Sequence, residues 1–314
     1  MPNDTTGTIW GLPNYSGALF TADQVNTPYL TMIGGLSGGA QTSNFEFPTD
    51  SEYQHETLAQ ENITEAESVA GVTPINFVRT QNTNVVQIFQ EEVLLSYVKQ
   101  SNQGRLSGLN TAGAANSVAT EKDFQIATAL EAIARKVEWH FLRGTYNLAG
   151  AANQANQTRG LIAAAALAGN TVAAAGALFS KDLFDALLLL MFNNGAKFRN
   201  MVLMCGGSIK QGISNSYGYA PESTSIGGLN IQQIETDFGN IAVAPAHRMV
   251  PAGTLIVTDV AVAAPVFQPV PGKGPLFYEE LAKTGAADKG MLFGQIGLNY
   301  GPAFAHGTIT GLGN

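Results

Sequence analysis

The chain has 314 residues, of which only 40 are charged, 16 Lys and Arg against 24 Asp and Glu, about half the share usual for soluble domains. A folded monomer of 33.0 kDa exposes on the order of 12,000 Å², so each charge would serve roughly 300 Å², too sparse for a solitary soluble protein. Mean hydropathy is +0.05, and no run approaches the ~20 apolar residues of a spanning helix, so the shortfall is not membrane character. Asn, Gln, Ser and Thr fill it with 81 residues. Such side chains suit large subunit contacts, whose buried centres are depleted of charge.

The single cysteine, Cys205, excludes an internal disulfide framework and any multi-cysteine metal site. The start MPNDTTGTIW lacks a basic segment followed by an apolar one, so residence in a cytoplasm-like space is the expectation. Nine acids precede the first basic residue, Arg79, giving −9, and the remaining 236 residues sum to +1. With no basic stripe, nothing points to nucleic-acid recognition.

In chain order, Ile9, Trp10, Leu12, Tyr15, Leu19 and Phe20 crowd into twelve positions, more than a solvated tail carries. Their burial would contribute about 10 kcal/mol in gross terms. Ordering twelve residues costs a comparable ~1–2 kcal/mol each, so this arm should order only on a preformed surface. Gly34 to Gly39 reads as a flexible joint. Phe45-Glu46-Phe47 alternates as a strand does, an acidic stretch follows from Asp50 to Glu67, and Val85, Phe89, Val93, Leu95 and Tyr97 make Thr73 to Tyr97 extended again. Two strands with little core are marginal in water and should lie on something; an ordinary surface hairpin fits the pattern equally well.

After a small-residue linker over 107–116, Ile126, Leu130, Ile133, Val137 and Phe141 form one stripe, Thr120 with Asp123 resembles a capping box, Glu131 and Arg135 are an i,i+4 pair, and Gly144 stops the run. The spacing predicts a spine helix of about 25 residues, ~37 Å long. Ala149 to Gly176 is low-complexity. A helix runs from the Ser180 cap through Leu183, Phe184, Leu187 and Met191 to Gly195; Met201 to Cys205 is a buried strand; Ser208 to Gly218 is a third helix. Together these suggest an α/β layer. Ile231 to Thr236, Ile241 to Val243 and Thr254 to Asp259 read as sheet, the prolines from Pro265 to Pro275 as a linker, and Met291 to Tyr300 and Ala303 to Ile309 as the last strands.

Catalytic chemistry finds no anchor. Gly35-Leu36-Ser37-Gly38-Gly39 matches G-x-S-x-G, but the elbow needs a strand before it and a helix after it, and a strand pattern follows here. Cys205 sits in an apolar run where thiols are inert. His55-Glu56 lacks the second histidine of a zinc helix, and His140, His247 and His306 are scattered. No phosphate loop, acidic metal pair or cofactor motif is present.

Several short words do have a counterpart. Thr6-Gly7-Thr8-Ile9-Trp10-Gly11-Leu12-Pro13-Asn14-Tyr15 and Thr27-Pro28-Tyr29-Leu30-Thr31-Met32-Ile33-Gly34-Gly35 resemble the opening of tailed-bacteriophage major capsid proteins. Gln87-Ile88-Phe89, Ile133 to Glu138, Phe141-Leu142-Arg143-Gly144, Thr158-Arg159-Gly160 and Glu235 to Gly239, then Arg248 and Asp259, continue the resemblance in order. It implies an α+β shell fold shared by tailed phages and herpesviruses: an N-terminal arm (1–44), an extended loop (45–85), a peripheral domain with the spine helix (86–160), an axial α/β domain (161–269) and a return to the peripheral domain (270–314).

The resemblance further implies a structural, non-enzymatic, cofactor-free subunit of an icosahedral virion shell, built as pentamers and hexamers around double-stranded DNA and assembled in the host cytoplasm. A portal and a separate scaffolding protein are expected partners, since no scaffolding segment precedes the arm, and a decoration protein is an optional one. The arm residues Ile9, Trp10, Leu12, Tyr15, Leu19 and Phe20 are inter-subunit candidates. Glu46, Asp50, Glu52 and Glu56 are acidic interface candidates, with Arg79, Lys99, Arg105, Arg135, Lys136 and Arg143 as their basic opposites. The rivals are an encapsulin-like compartment and, from another class, a hydrolase using Ser37 or Cys205.

Overall fold

A computed structural model describes residues 26–53, 62–71, 77–101, 121–217, 223–226, 229–283 and 285–313. The elements are, in order, α1 (Pro28–Met32), β1 (Ala40–Gln41), β2 (Glu46–Tyr53), α2 (Glu65–Ala70), β3 (Arg79–Val85), β4 (Gln87–Ser96), α3 (Tyr97–Ser101) and α4 (Glu121–Arg143). Then follow α5 (Leu161–Leu167), β5 (Thr171–Ala173), α6 (Lys181–Asn193), β6 (Met201–Cys205), α7 (Gly207–Tyr217), β7 (Ser223–Ile226), β8 (Leu229–Thr236) and β9 (Gly239–Pro245). The chain closes with β10 (Leu255–Asp259), β11 (Ala264–Phe267), β12 (Leu276–Glu280), β13 (Ala287–Asn299), a 3-10 turn at Ala303–Ala305 and β14 (His306–Thr310).

Local chemistry explains several boundaries. Ser180 accepts from Leu183 N and starts α6, and Thr64 with Glu67 closes a full capping box on α2. Every residue of β6 is buried because the strand is covered on both faces. Met201, Leu203 and Cys205 meet Phe184, Leu187 and Met191 of α6 with Ile209 and Ile213 of α7. Val202 and Met204, on the other face, join the core of α1, α4 and α5.

Seven strands form one sheet in the order β5-β14-β10-β6-β9-β8-β7. A second sheet runs β1-β11-β13-β12, with β4 paired to β13 from Ala287↔Ser96 to Ile296↔Gln87. Helix α4 packs on β4 and β13, and one core joins it to the inner face of the seven-stranded sheet through Ile256, Ala242 and Met204. The third sheet is the ribbon β2-β3 alone.

Several expectations need correction. The stripe of α4 runs through Ala129, not Leu130: Leu130 is 39% exposed while Ala129 packs on the core. At 100° per residue the position three before Ile133 and the one four before it lie on opposite sides of it, and the sheet is beneath the latter. Since each buried apolar side chain contributes about 1.5–3 kcal/mol, the C-terminal half, with Ile133, Val137, Phe141 and Leu142 fully buried, anchors the helix. The low-complexity stretch contains α5 and β5, because alanines suffice where α5 packs close on β14. The proline linker contains β11, tolerated because Pro265 sits beside the two-residue strand β1.

The Gly34–Gly39 segment is a packed turn rather than a flexible joint. Gly39 adopts φ +134°, and a Cβ there would lie 2.2 Å from the Pro265 carbonyl oxygen. Nor does 270–314 return wholly to one layer, since β14 inserts between β5 and β10 of the seven-stranded sheet, while β11, within the range expected to be axial, belongs to the other sheet. Tyr97 opens α3 and is exposed. The 107–116 linker, Thr120 and the six apolar arm residues lie outside the described residues.

Candidate functional site

The ribbon carries no core of its own beyond its root. Phe47 packs on Val86 and Val266, and past it the strands pair from Glu46↔Val85 to Tyr53↔Arg79. A bulge at Thr49 shifts the register between Pro48 and Asp50; Thr49 is buried, its hydroxyl donating to the Asn82 carbonyl at 3.1 Å. The extra residue turns the alternation over. Glu46 therefore shares a face with Thr83, whose hydroxyl donates to it at 2.6 Å, and Asp50 and Glu52 lie on the opposite face with Asn82 and Thr80. The hydrogen bond and charge of Asp50 hold the Glu52 carboxyl up at about 7. Phe45, Tyr53, Phe77 and Val78 are all more than half exposed around the ribbon.

At the root, side chains replace a missing strand. The pairing of β4 with β13 ends at Gln87↔Ile296. Two residues further along β13, Leu298 N donates to Thr158 Oγ1 at 3.1 Å and Leu298 O accepts from Asn84 Nδ2 at 2.7 Å. Asn84 also donates to Thr158 Oγ1 and to the Arg159 carbonyl, both at 3.1 Å, and its Oδ1 accepts from Val85 N at 2.9 Å and Arg159 N at 2.7 Å. Asn84 and Thr158 are fully buried, and this satisfied network fixes the angle at which the ribbon leaves the body.

The next two residues of Thr158-Arg159-Gly160 serve the same joint. Arg159 donates to Tyr300 Oη at 3.0 Å and lies over the Tyr146 ring at 4.6 Å. Gly160 abuts the end of α4 so closely that a Cβ would meet Gly144 N at 2.6 Å and His140 O at 2.7 Å.

The described part of the N-terminal segment is moored by Glu138. Thr27 gives α1 no side-chain cap. Instead Glu138, on the side of α4 that meets α1 and away from the Ile133 stripe, accepts from Tyr29 N at 3.3 Å and Leu30 N at 2.9 Å, donors that an N-cap normally satisfies. Glu138 is fully buried; burial pushes its carboxyl up to about 7 against the pull of the two N–H groups. Periodicity did not single it out, because a polar residue off the stripe reads as solvent-facing.

The basic candidates are placed less freely than expected. Lys136 pairs with Glu91, and Arg143 donates to the carbonyls of Met249 at 2.7 Å and Arg248 at 2.9 Å, so both are engaged within the chain. Arg135 is half-buried on α4 and Arg79 is exposed on β3. Arg105 and Glu56 lie outside the described residues, as does the side chain of Lys99.

Catalytic geometry does not arise where the sequence hinted at it. Ser37 lies in the turn between helix α1 and strand β1, the reverse of a nucleophile elbow. The Cys205 thiol is buried in β6 and pushed up to about 12 by desolvation, which keeps it protonated and inert. His306 is buried, with Nε2 against the Tyr300 carbonyl at 2.6 Å and Nδ1 against Thr258 Oγ1 at 2.9 Å; His140 stacks edge-on with Phe89 and Trp139. Among the described residues no group of His, Cys, Asp and Glu could hold a metal, and no helix is long and apolar enough to cross a membrane.

Comparison with known proteins identifies this architecture. The family model for the SU10 major capsid protein matches residues 2–313. The capsid protein of cyanophage A-1(L) superposes with a TM-score of 0.64 at 12% identity, covering 96% of this chain and 97% of that one. The SrpI encapsulin complex of Synechococcus elongatus gives 0.58 at 12% identity, over 95% and 92%. The capsid of a native GTA particle gives 0.57 at 12% identity, over 95% and 94%. No curated protein sequence matches the chain.

Proposed function

The chain belongs to the SU10 major capsid protein family and is a structural subunit of a virion shell, and from that premise we propose how the subunit builds it. The seven-stranded sheet with α6 and α7 is the axial domain around which pentamers and hexamers close. The β2-β3 ribbon and the N-terminal arm, with Ile9, Trp10, Leu12, Tyr15, Leu19 and Phe20, lie across neighbouring subunits and tie the rings into an icosahedral lattice. Assembly takes place in the host cytoplasm with a portal and a separate scaffolding protein, a decoration protein being an optional addition.

One observation carries the reading: a two-stranded ribbon with its apolar side chains exposed and a rigid root at Asn84. A free hairpin of this kind is marginal in water, and exposed apolar groups gathered on one projection mark a contact surface. The acidic faces of the ribbon, Glu46 on one and Asp50 with Glu52 on the other, would then meet different neighbours. Rim pairs contribute only ~0–1 kcal/mol each, so they select register more than they add affinity. A net charge of −8 per copy leaves a lining that does not hold the packaged double-stranded DNA.

An encapsulin-like compartment shares the fold, and the family match favours the virion. Light scattering and negative-stain microscopy of the purified protein test the proposal. Rings, shells or their fragments are expected; a protein that stays monomeric on concentration would refute it.

A further inference from the structure

We propose that Glu138 is a proton-controlled latch on the root of the N-terminal arm: in its protonated form it holds α1 against the spine helix α4, and its ionisation as pH rises to neutrality loosens that hold. The inference stands on the geometry of a single chain and goes beyond the shell reading.

Three observations carry it. Helix α1 has five residues and no cap of its own, so its first N–H groups depend on a side chain more than a hundred positions away. That side chain is fully buried, and among the described residues no cation is bonded to it to offset the cost of burying a charge. The residues before α1 are the arm, so displacement of Tyr29 and Leu30 from α4 moves the point from which the arm departs.

The sign follows from the burial. A carboxyl held up at about 7, above its ordinary range near 4.3, stabilises the closed contact fully below that ordinary range. The contribution is lost as pH rises through 7. A neutral carboxyl still accepts from Leu30 N through its carbonyl oxygen, whereas the carboxylate gains more from water than from two N–H groups.

The surrounding groups leave this window to Glu138. From α1 it faces the Tyr29 phenol, which burial holds far above its usual range. Behind Tyr29 lie Thr258 of β10 and, bonded to it, His306 of β14, held down at about 4. On α4 itself Arg135 lies one turn earlier, and Lys136 is turned to Glu91 of β4. Neither the Tyr29 phenol nor the His306 imidazole is expected to change charge between pH 5.5 and 9. Glu52, also near 7, is on the ribbon and does not report at α1.

The test is hydrogen exchange of the backbone amides of residues 28–33 in the intact protein between pH 5.5 and 9, corrected for the intrinsic pH dependence of exchange. Protection should fall about thirtyfold between pH 5.5 and 9 in the wild type, nearly all of it below pH 7.5. In Glu138→Gln, which imitates the neutral acid, it should stay level. A wild-type profile that is flat, or a variant profile that falls in parallel with it, would overturn the proposal. Should the variant fail to fold, the wild-type profile alone decides. Particle size measured on the same samples separates this outcome from a failure of the shell reading.

Discussion

Replacing Asn84 by alanine perturbs the root of the ribbon while leaving the backbone pairing of β2 with β3 in place. The side chain satisfies Leu298 O and Val85 N, both buried, together with Arg159 N and O at part-buried positions. Beyond Ile296, β13 has no β4 residue opposite it, so Leu298 O has no backbone donor from that strand to fall back on. Two buried groups left unpaired cost about 1–3 kcal/mol each, hence about 2–6 kcal/mol out of a total stability of ~5–15 kcal/mol. Thr158 Oγ1 retains Leu298 N, which keeps the loss below that of the whole network. In a thermal melt followed by circular dichroism this should appear as a fall of roughly 5–15 °C. Asn82→Ala, two residues outward on the half-buried part of the ribbon, is the control and should move the melt little. If Asn84→Ala melts within about 1 °C of that control, the network does not support the joint and the argument from buried satisfaction is wrong.

Gly160→Ala should sharply reduce soluble protein, because the added Cβ would lie 2.6–2.9 Å from backbone atoms of Gly144, His140 and Phe141, which cannot yield as a side-chain tip can. Gly207→Ala, with nothing within 4 Å, should express normally, and equal yields would refute the close-packing account. His306, held down at about 4 by burial, contributes stability that is complete above its ordinary value near 6.5 and lost as pH falls through 4, on the order of 3 kcal/mol at most. Melts of His306→Gln between pH 7 and 4 should therefore slope less steeply than wild type, and identical slopes would count against it. Glu138 works in the opposite sense over nearly the same window, so Glu138→Gln should steepen the rise of stability with pH that His306→Gln flattens.

Much of the secondary structure was legible because it is local. The Ser180 cap, the apolar run of β6 and the stop at Gly144 each follow from a residue and its near neighbours. The word Thr158-Arg159-Gly160 was visible as a pattern, but its meaning was not: Thr158 and Gly160 act on Leu298 and on the end of α4, 140 and about 16 positions away. Which face each acidic candidate takes was not legible, since one extra residue at Thr49 reverses every side chain after it and sets Glu46 opposite Asp50 and Glu52.

The sequence by itself determined the kind of molecule. Sparse charge, a net negative charge carried entirely by the segment before Arg79, a spine helix and no convergent catalytic set are properties of composition and spacing, and they already describe a subunit that buries its surface in contacts. Only the tertiary structure decided how the pieces join. The insertion of β14 beside β10, Glu138 capping a helix 108 positions away and Asn84 standing in for a strand are pairings between distant segments, and no periodicity encodes which distant group meets which. They arise because each buried N–H, C=O or carboxyl must find a partner in the folded chain, a requirement that is met in space rather than along the sequence.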